Sequence, residues 1–196
     1  MKYVNVYTEA SPNPNSLKFV LNFKLLQNLH LDFPSVEETE ASPLAKALFE
    51  KFDFVERVFI ANNFITITKS AAIDWFEINS EIKEFIKEYI VSEKPVFSSD
   101  VLDEKTKEEE KPAVAAAANA DIDEKIKAIL NDYVRPAVEQ DGGAISFHSF
   151  NDGVVKVLLQ GSCSGCPSST LTLKAGIENL LTRMVPEVKE VVAEGV

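Results

Sequence analysis

Cysteine is nearly absent from this chain: there are two in 196 residues, both in the stretch "GSCSGCPSST" at 161–170, and histidine is as scarce, with two. So few thiols exclude the disulfide framework of a small stapled domain. Basic side chains are outnumbered, 20 against 31 acidic, for a net charge of -11. Such a balance lacks the clustered Lys and Arg of a nucleic-acid footprint, and no nucleic-acid partner is expected. Nowhere does an apolar run approach the roughly 18 residues of a membrane span. The opening "MKYVNVYTEA" has neither the apolar core of a signal peptide nor the Arg-rich, acid-poor character of a transit peptide. These absences lead to the expectation of a cytoplasmic protein with no membrane partner, in which a lone Cys-x-x-Cys points to catalysis or metal binding rather than a staple.

The apolar fraction of 45% is ordinary for a chain that buries real cores, and this length accommodates one large domain or two small ones. Composition divides it. Residues 94–120, "KPVFSSDVLDEKTKEEEKPAVAAAANA", shift to charge runs and alanine with Pro95 and Pro112 as breakers, and no apolar period there could serve a core. This segment reads as a flexible linker, with a root-mean-square reach on the order of 30 Å. Two domains follow, 1–93 and 121–196, and neither is basic: 9 basic against 14 acidic side chains in the first, 7 against 11 in the second.

In the first domain "YVNVY" and "LKFVLNF" alternate at period two around the turn "SPNPNS", predicting two strands with Leu17, Phe19, Leu21 and Phe23 on one face. Ser42 followed by Pro43 predicts a helix start, because proline's missing N–H costs nothing in the first turn. "VERVFIANNFITITKS" predicts a hairpin turning at Asn62-Asn63, residues that tolerate positive φ. Behind Asp74, the residues Ile78, Ile82, Phe85, Ile86, Tyr89 and Ile90 recur at helical spacing. The expectation is a small α+β domain of strands and two helices.

The second domain opens on an apolar helical stripe, Ile122, Ile126, Ile129, Tyr133 with Leu130, Val134, Val138, kinked at Pro136 and ended by "QDGG". Strands over "AISFHSF" and "VVKVLLQ" flank the turn "NDG". After the cysteines, Ser168 or Ser169 is placed to cap a helix with Leu173, Ile177, Leu180, Leu181 and Met184 on one face, stopped at Pro186. "VKEVVAEG" closes as a third strand. The order α-β-β-α-β predicts a three-stranded sheet covered on one face by two helices, with the thiols between a strand end and a helix start.

A Cys-x-x-Cys pair supports three readings: a redox dithiol, half of a zinc site, or half of an iron-sulfur site. The redox reading wants a thioredoxin-like βαβ context, which a helix-first order does not offer. Zinc and iron-sulfur sites both want four ligands. Besides the thiols the chain has only His30, in the other domain, and His148, in mid-strand. A four-thiolate site must therefore be assembled from two copies of the chain. Gly161 and Gly165 allow tight turns around the sulfurs, and the helix N-terminus that follows favours anionic thiolates. No Lys, Arg or His stands beside the pair to mark a nucleophilic thiol enzyme, so no catalytic residue is expected.

"RPAVEQDGGAISF" with "VVKVLLQGSCSGCPSSTLTLKAGIENLLTRMVPEV" resembles the C-terminal domain of the NifU-like, or Nfu, iron-sulfur scaffold family. "SPNPNSLKFV" with "SPLAKALFEKFDFVERVFIANNFITITK" resembles that family's N-terminal domain. The resemblance covers nearly everything but the linker, which is longer here than in the family's pattern; Ala144 departs from it where many members carry an acidic residue. It implies a non-enzymatic carrier that holds a 4Fe-4S cluster, or in an alternative form 2Fe-2S, between the subunits of a homodimer, with Cys163 and Cys166 as ligands. It further implies upstream cluster assembly proteins as donors and apo iron-sulfur proteins as recipients.

Overall fold

The computed structural model describes residues 3–26, 29–98, 120–164 and 167–195, so most of the expected linker lies outside the described residues. The chain divides into two compact units. Each is a mixed α/β layer with its own sheet, in keeping with two small domains.

The first unit is built on a five-stranded antiparallel sheet in the order β1-β2-β5-β4-β3. Its strands are β1 (Val6–Ala10), β2 (Ser16–Leu21), β3 (His30–Phe33), β4 (Val55–Ala61) and β5 (Phe64–Lys69). The turn between β4 and β5 falls at Asn62-Asn63, with Asn62 at φ 35°, as the hairpin pattern predicts. Helix α1 (Pro43–Lys51) starts where expected: the Ser42 hydroxyl accepts from the Ala45 N–H at 3.1 Å. Asp74 caps α2 (Trp75–Val91), accepting from the Phe76 N–H at 2.7 Å.

Ile78, Ile82, Ile86 and Tyr89 of α2 and Leu44 and Leu48 of α1 pack on Phe19, Leu21, Val58, Ile60, Ile65 and Ile67. Strand β3 was not expected; four residues ending in Phe33 are too short for an alternation to stand out from a loop. A register shift between Val55 and Arg57 puts Val55 and Val58, three apart, on the same core. The other sheet face carries paired charges: Arg57 on β4 donates to Asp32 on β3 at 3.0 Å, and Lys18 meets Glu9 at 3.1 Å while lying over the Phe64 ring.

The first residues of the expected linker belong to this unit. Val96 and Phe97 pack against its core, the Ser42 hydroxyl donates to the Val96 carbonyl at 2.7 Å, and the Ser98 N–H donates to the Ala41 carbonyl at 3.1 Å. A proline and a charge preceded them, which hid two apolar residues that a nearby core could use.

The second unit has the three-stranded sheet of the sequence reading, in the order β6-β7-β8: β6 (Gly143–Asn151), β7 (Val154–Gly161) and β8 (Glu190–Gly195). β6 and β7 are antiparallel, joined at Asp152-Gly153 with both φ positive, while β8 lies parallel to β7. A long helix, α5 (Pro167–Met184), makes the crossover between those parallel strands.

The opening helix comes in three pieces: α3 (Ala120–Ile129), a π turn (Leu130–Val134) and α4 (Arg135–Gln140). Pro136 has no N–H for the usual bond, and the helix widens instead: the Arg135 N–H reaches back five residues to the Leu130 carbonyl. The wider turn changes phase, leaving Tyr133 60% exposed rather than in the apolar stripe. Ile126, Leu130, Val134 and Val138 join Ile145, Val155, Val157, Leu159, Ile177 and Leu181 in one core. Met184, expected on the α5 stripe, is exposed. Among the described residues no helix is long and apolar enough to cross a membrane.

Candidate metal centre

Antiparallel β6 and parallel β8 bring three strand ends to one edge of the second sheet. β6 begins there at Gly143, β7 ends at Gly161, and β8 ends at Gly195; Gly143 pairs with Gly161, and Leu159 with Gly195. The cysteine loop leaves from this edge. Gly161 at φ 67° turns the chain through a conformation that other residues resist. The Ser164 N–H then bonds back to the Gly161 carbonyl at 3.2 Å, so the loop doubles over the sheet edge.

Cys163 is buried, 5% exposed, and its thiol joins the unit's apolar core. Its Sγ lies against Gly143, where an added Cβ would sit 2.9 Å from the sulfur and 2.5 Å from the Gln160 carbonyl oxygen. Both are closer than van der Waals contact allows, so only glycine fits. The two glycines of "QDGG" thus differ: Gly142 takes the positive φ, 86°, and Gly143 leaves room for the thiol.

Beside the thiol, Ser162 is 2% exposed. Its hydroxyl donates to the Asp141 carbonyl at 2.6 Å, its N–H points to the Gly142 carbonyl at 3.4 Å, and its Oγ stands 3.8 Å from Cys163 Sγ. Across the loop, a Cβ on Gly195 would meet the Ser164 carbonyl oxygen at 2.7 Å. Neither Ser162 nor Gly195 was singled out from the sequence. The available signal was a small or polar residue at each strand end around the thiols, and its meaning depends on the three ends sharing an edge.

Cys166 lies outside the described residues, as does Gly165. Helix α5 begins at Pro167, which places Ser168 and Ser169 inside its first turn and not at its cap. Leu171, the next residue whose side chain is described, is 69% exposed. His148 sits at a register shift between Phe147 and Ser149, exposed, its ring nitrogen 3.2 Å from the Ser149 hydroxyl. His30 stacks at 5.9 Å from Phe59 in the first unit. Among the described residues no three His, Cys, Asp or Glu side chains are grouped to hold a metal ion. Cys163 is thus the one expected ligand whose seat can be described, and it offers a single thiolate.

Residues 6–93 match the family described as the N-terminal part of the scaffold protein Nfu/NifU, and residues 126–192 match the NifU-like domain. A human protein named NFU1 iron-sulfur cluster scaffold homolog, mitochondrial, is 37% identical over 97% of this chain and 72% of its own length. NifU-like protein 4, mitochondrial, of Arabidopsis thaliana is 38% identical over 96% of this chain and 65% of its own. A solution NMR structure of a NifU-like protein from Saccharomyces cerevisiae shares 25% identity, covering 49% of this chain and 86% of that one, with a TM-score of 0.44.

The two relatives' names correct the cytoplasmic expectation, since both are mitochondrial proteins. That expectation rested on the absence of a leader in the first ten residues, and this chain spans only 72% and 65% of these relatives' length. Both family matches fall in the expected order along the chain, each on its own sheet, and a relative is aligned across almost the whole of it. The chain belongs to the Nfu/NifU family of scaffold proteins.

Proposed function

We propose that this protein is a scaffold and carrier that holds an iron-sulfur cluster as cargo, bound by Cys163 and Cys166 from each of two copies of the chain, and passes it to recipient apoproteins. The observation that carries the reading is the seat of Cys163: a buried thiol on a doubled-over loop, packed against a glycine where any side chain would crowd the sulfur. The relatives named as iron-sulfur cluster scaffolds support the same cargo. Two thiols per chain supply half of a four-thiolate site, so the full set requires a homodimer. Such a site suits 4Fe-4S, with 2Fe-2S as the smaller form.

Release proceeds by stepwise ligand exchange: each recipient thiol that bonds to iron gives up a proton and displaces one carrier thiolate, which takes a proton up, so no electrons are transferred and the role is not catalytic. Residues 121–196 form the cluster-holding domain and 94–120 a tether, of which the first few residues lie on the first unit. Residues 1–93 dock or orient partners, both the recipients and the upstream assembly proteins that load the cluster.

Metal and sulfide analysis of protein purified without oxygen tests the reading. Iron and acid-labile sulfide in equal amounts, with a brown colour, are expected. Colourless protein with about half a zinc per chain would overturn it in favour of a zinc-bridged module. Metal-free protein that reduces disulfides would overturn it in favour of a dithiol oxidoreductase.

A further inference from the structure

The cysteine loop is held at two points that the chemistry of the cargo does not explain. On the β6 side, Ser162 spends its hydroxyl proton on the Asp141 carbonyl, 21 residues earlier, at 2.6 Å. A buried hydroxyl with so short a bond to main chain on another element fixes the backbone of the residue next to the ligand. On the β8 side, Gly195 lies flush under Ser164, the residue on the other flank of Cys163, with no space for even a methyl group. Cys163 stands between these two points, its sulfur closed off from behind by Gly143.

We infer that Ser162 and Gly195 are positioning residues for the Cys163 thiol. They do not touch the cargo; they clamp the loop to the β6 and β8 strand ends and thereby keep the sulfur buried and aimed. Opening this clamp exposes the thiol without unfolding the unit, because the core beneath it, Val155, Val157, Leu159 and Val191, lies along the strands and not in the loop. The link to cargo retention rests on the function proposed above; the clamp itself does not.

The test uses the full-length chain, reduced and free of metal, in a Cys166→Ser background so that Cys163 is the only thiol. Its alkylation by iodoacetamide is timed. Ser162→Ala and Gly195→Ala are each expected to speed the reaction by roughly fivefold or more, the scale of losing one buried hydrogen bond or forcing one close contact apart. Val155→Ala, a cavity in the same core at the far end of β7, serves as the control: it lowers the unit's melting temperature without speeding alkylation. Wild-type alkylation rates in both clamp variants would overturn the inference, as would an equal acceleration by Val155→Ala. Should Ser162→Ala fail to fold, Gly195→Ala at the last described residue of β8 decides alone. The readout needs no iron. A wild-type chain that takes up no cluster would refute the proposed cargo and leave the clamp standing, whereas a cluster-loaded chain with unchanged alkylation would do the reverse.

Discussion

Cys163 and Gly143, twenty residues apart in sequence, share one small space: a methyl group on the glycine would come within 2.9 Å of the cysteine sulfur. Gly143→Ala must therefore move the sulfur or the strand end. Overpacking of this kind costs about 1–3 kcal/mol. The variant is expected to fold with lowered stability and to retain less iron after anaerobic reconstitution than wild type, measured by iron per chain alongside thermal melting.

Asp32 and Arg57 form a half-buried pair between β3 and β4, their side chains 6% and 17% exposed. Removing one partner takes this ion pair from a largely buried charge. Asp32→Ala should cost about 3 kcal/mol, and the double change Asp32→Leu with Arg57→Met should restore much of it, since apolar replacement of a buried pair is often neutral. Urea titration followed by fluorescence reads this unit alone, because the single tryptophan, Trp75, packs on Phe19 within it.

The Ser42 side chain acts twice, accepting from the Ala45 N–H at the start of α1 and donating to the Val96 carbonyl. Ser42→Ala loses the cap and the tie together, for about 1–2 kcal/mol. Residues 96–98 should then lift off the first unit more often. Faster chymotryptic cleavage after Phe97, relative to wild type, is the expected result.

Tyr89 is buried against its unit's core and donates to the Pro95 carbonyl at 3.0 Å. Burial raises its phenol above the ordinary value of 10.0. A group whose folded-state pKa is raised contributes stability below the unfolded value and loses it as pH climbs through the folded one, so Tyr89 promotes alkaline unfolding. Subtracting the phenolate absorbance titration of Tyr89→Phe from that of wild type should leave a component centred above pH 10.

Periodicity made most of the second domain legible: α-β-β-α-β order, the Asp152-Gly153 turn and the Ile177–Leu181 face all follow from spacing. It failed where the backbone departs from a fixed period. The π turn at Leu130–Val134 rotated Tyr133 outward, and the register shift at His148 carried the core face from Phe147 to Phe150 instead of Ser149. Strand β3 escaped notice because four residues hold too few repeats to count. The presence of a thiol pair was legible from composition alone, and Cys166 lies outside the described residues. The contacts of Ser162, Gly143 and Gly195 around Cys163 were not legible, because each joins chain segments that no local pattern links.

Iron counting on reconstituted protein tests the central claim most directly. Wild-type chain loaded without oxygen should carry about four irons for every two chains and sediment as a dimer, while Cys163→Ser and Cys166→Ser each lose the cluster and the dimer with it. A full cluster retained by either serine variant, or a cluster carried by a monomer, would contradict the account.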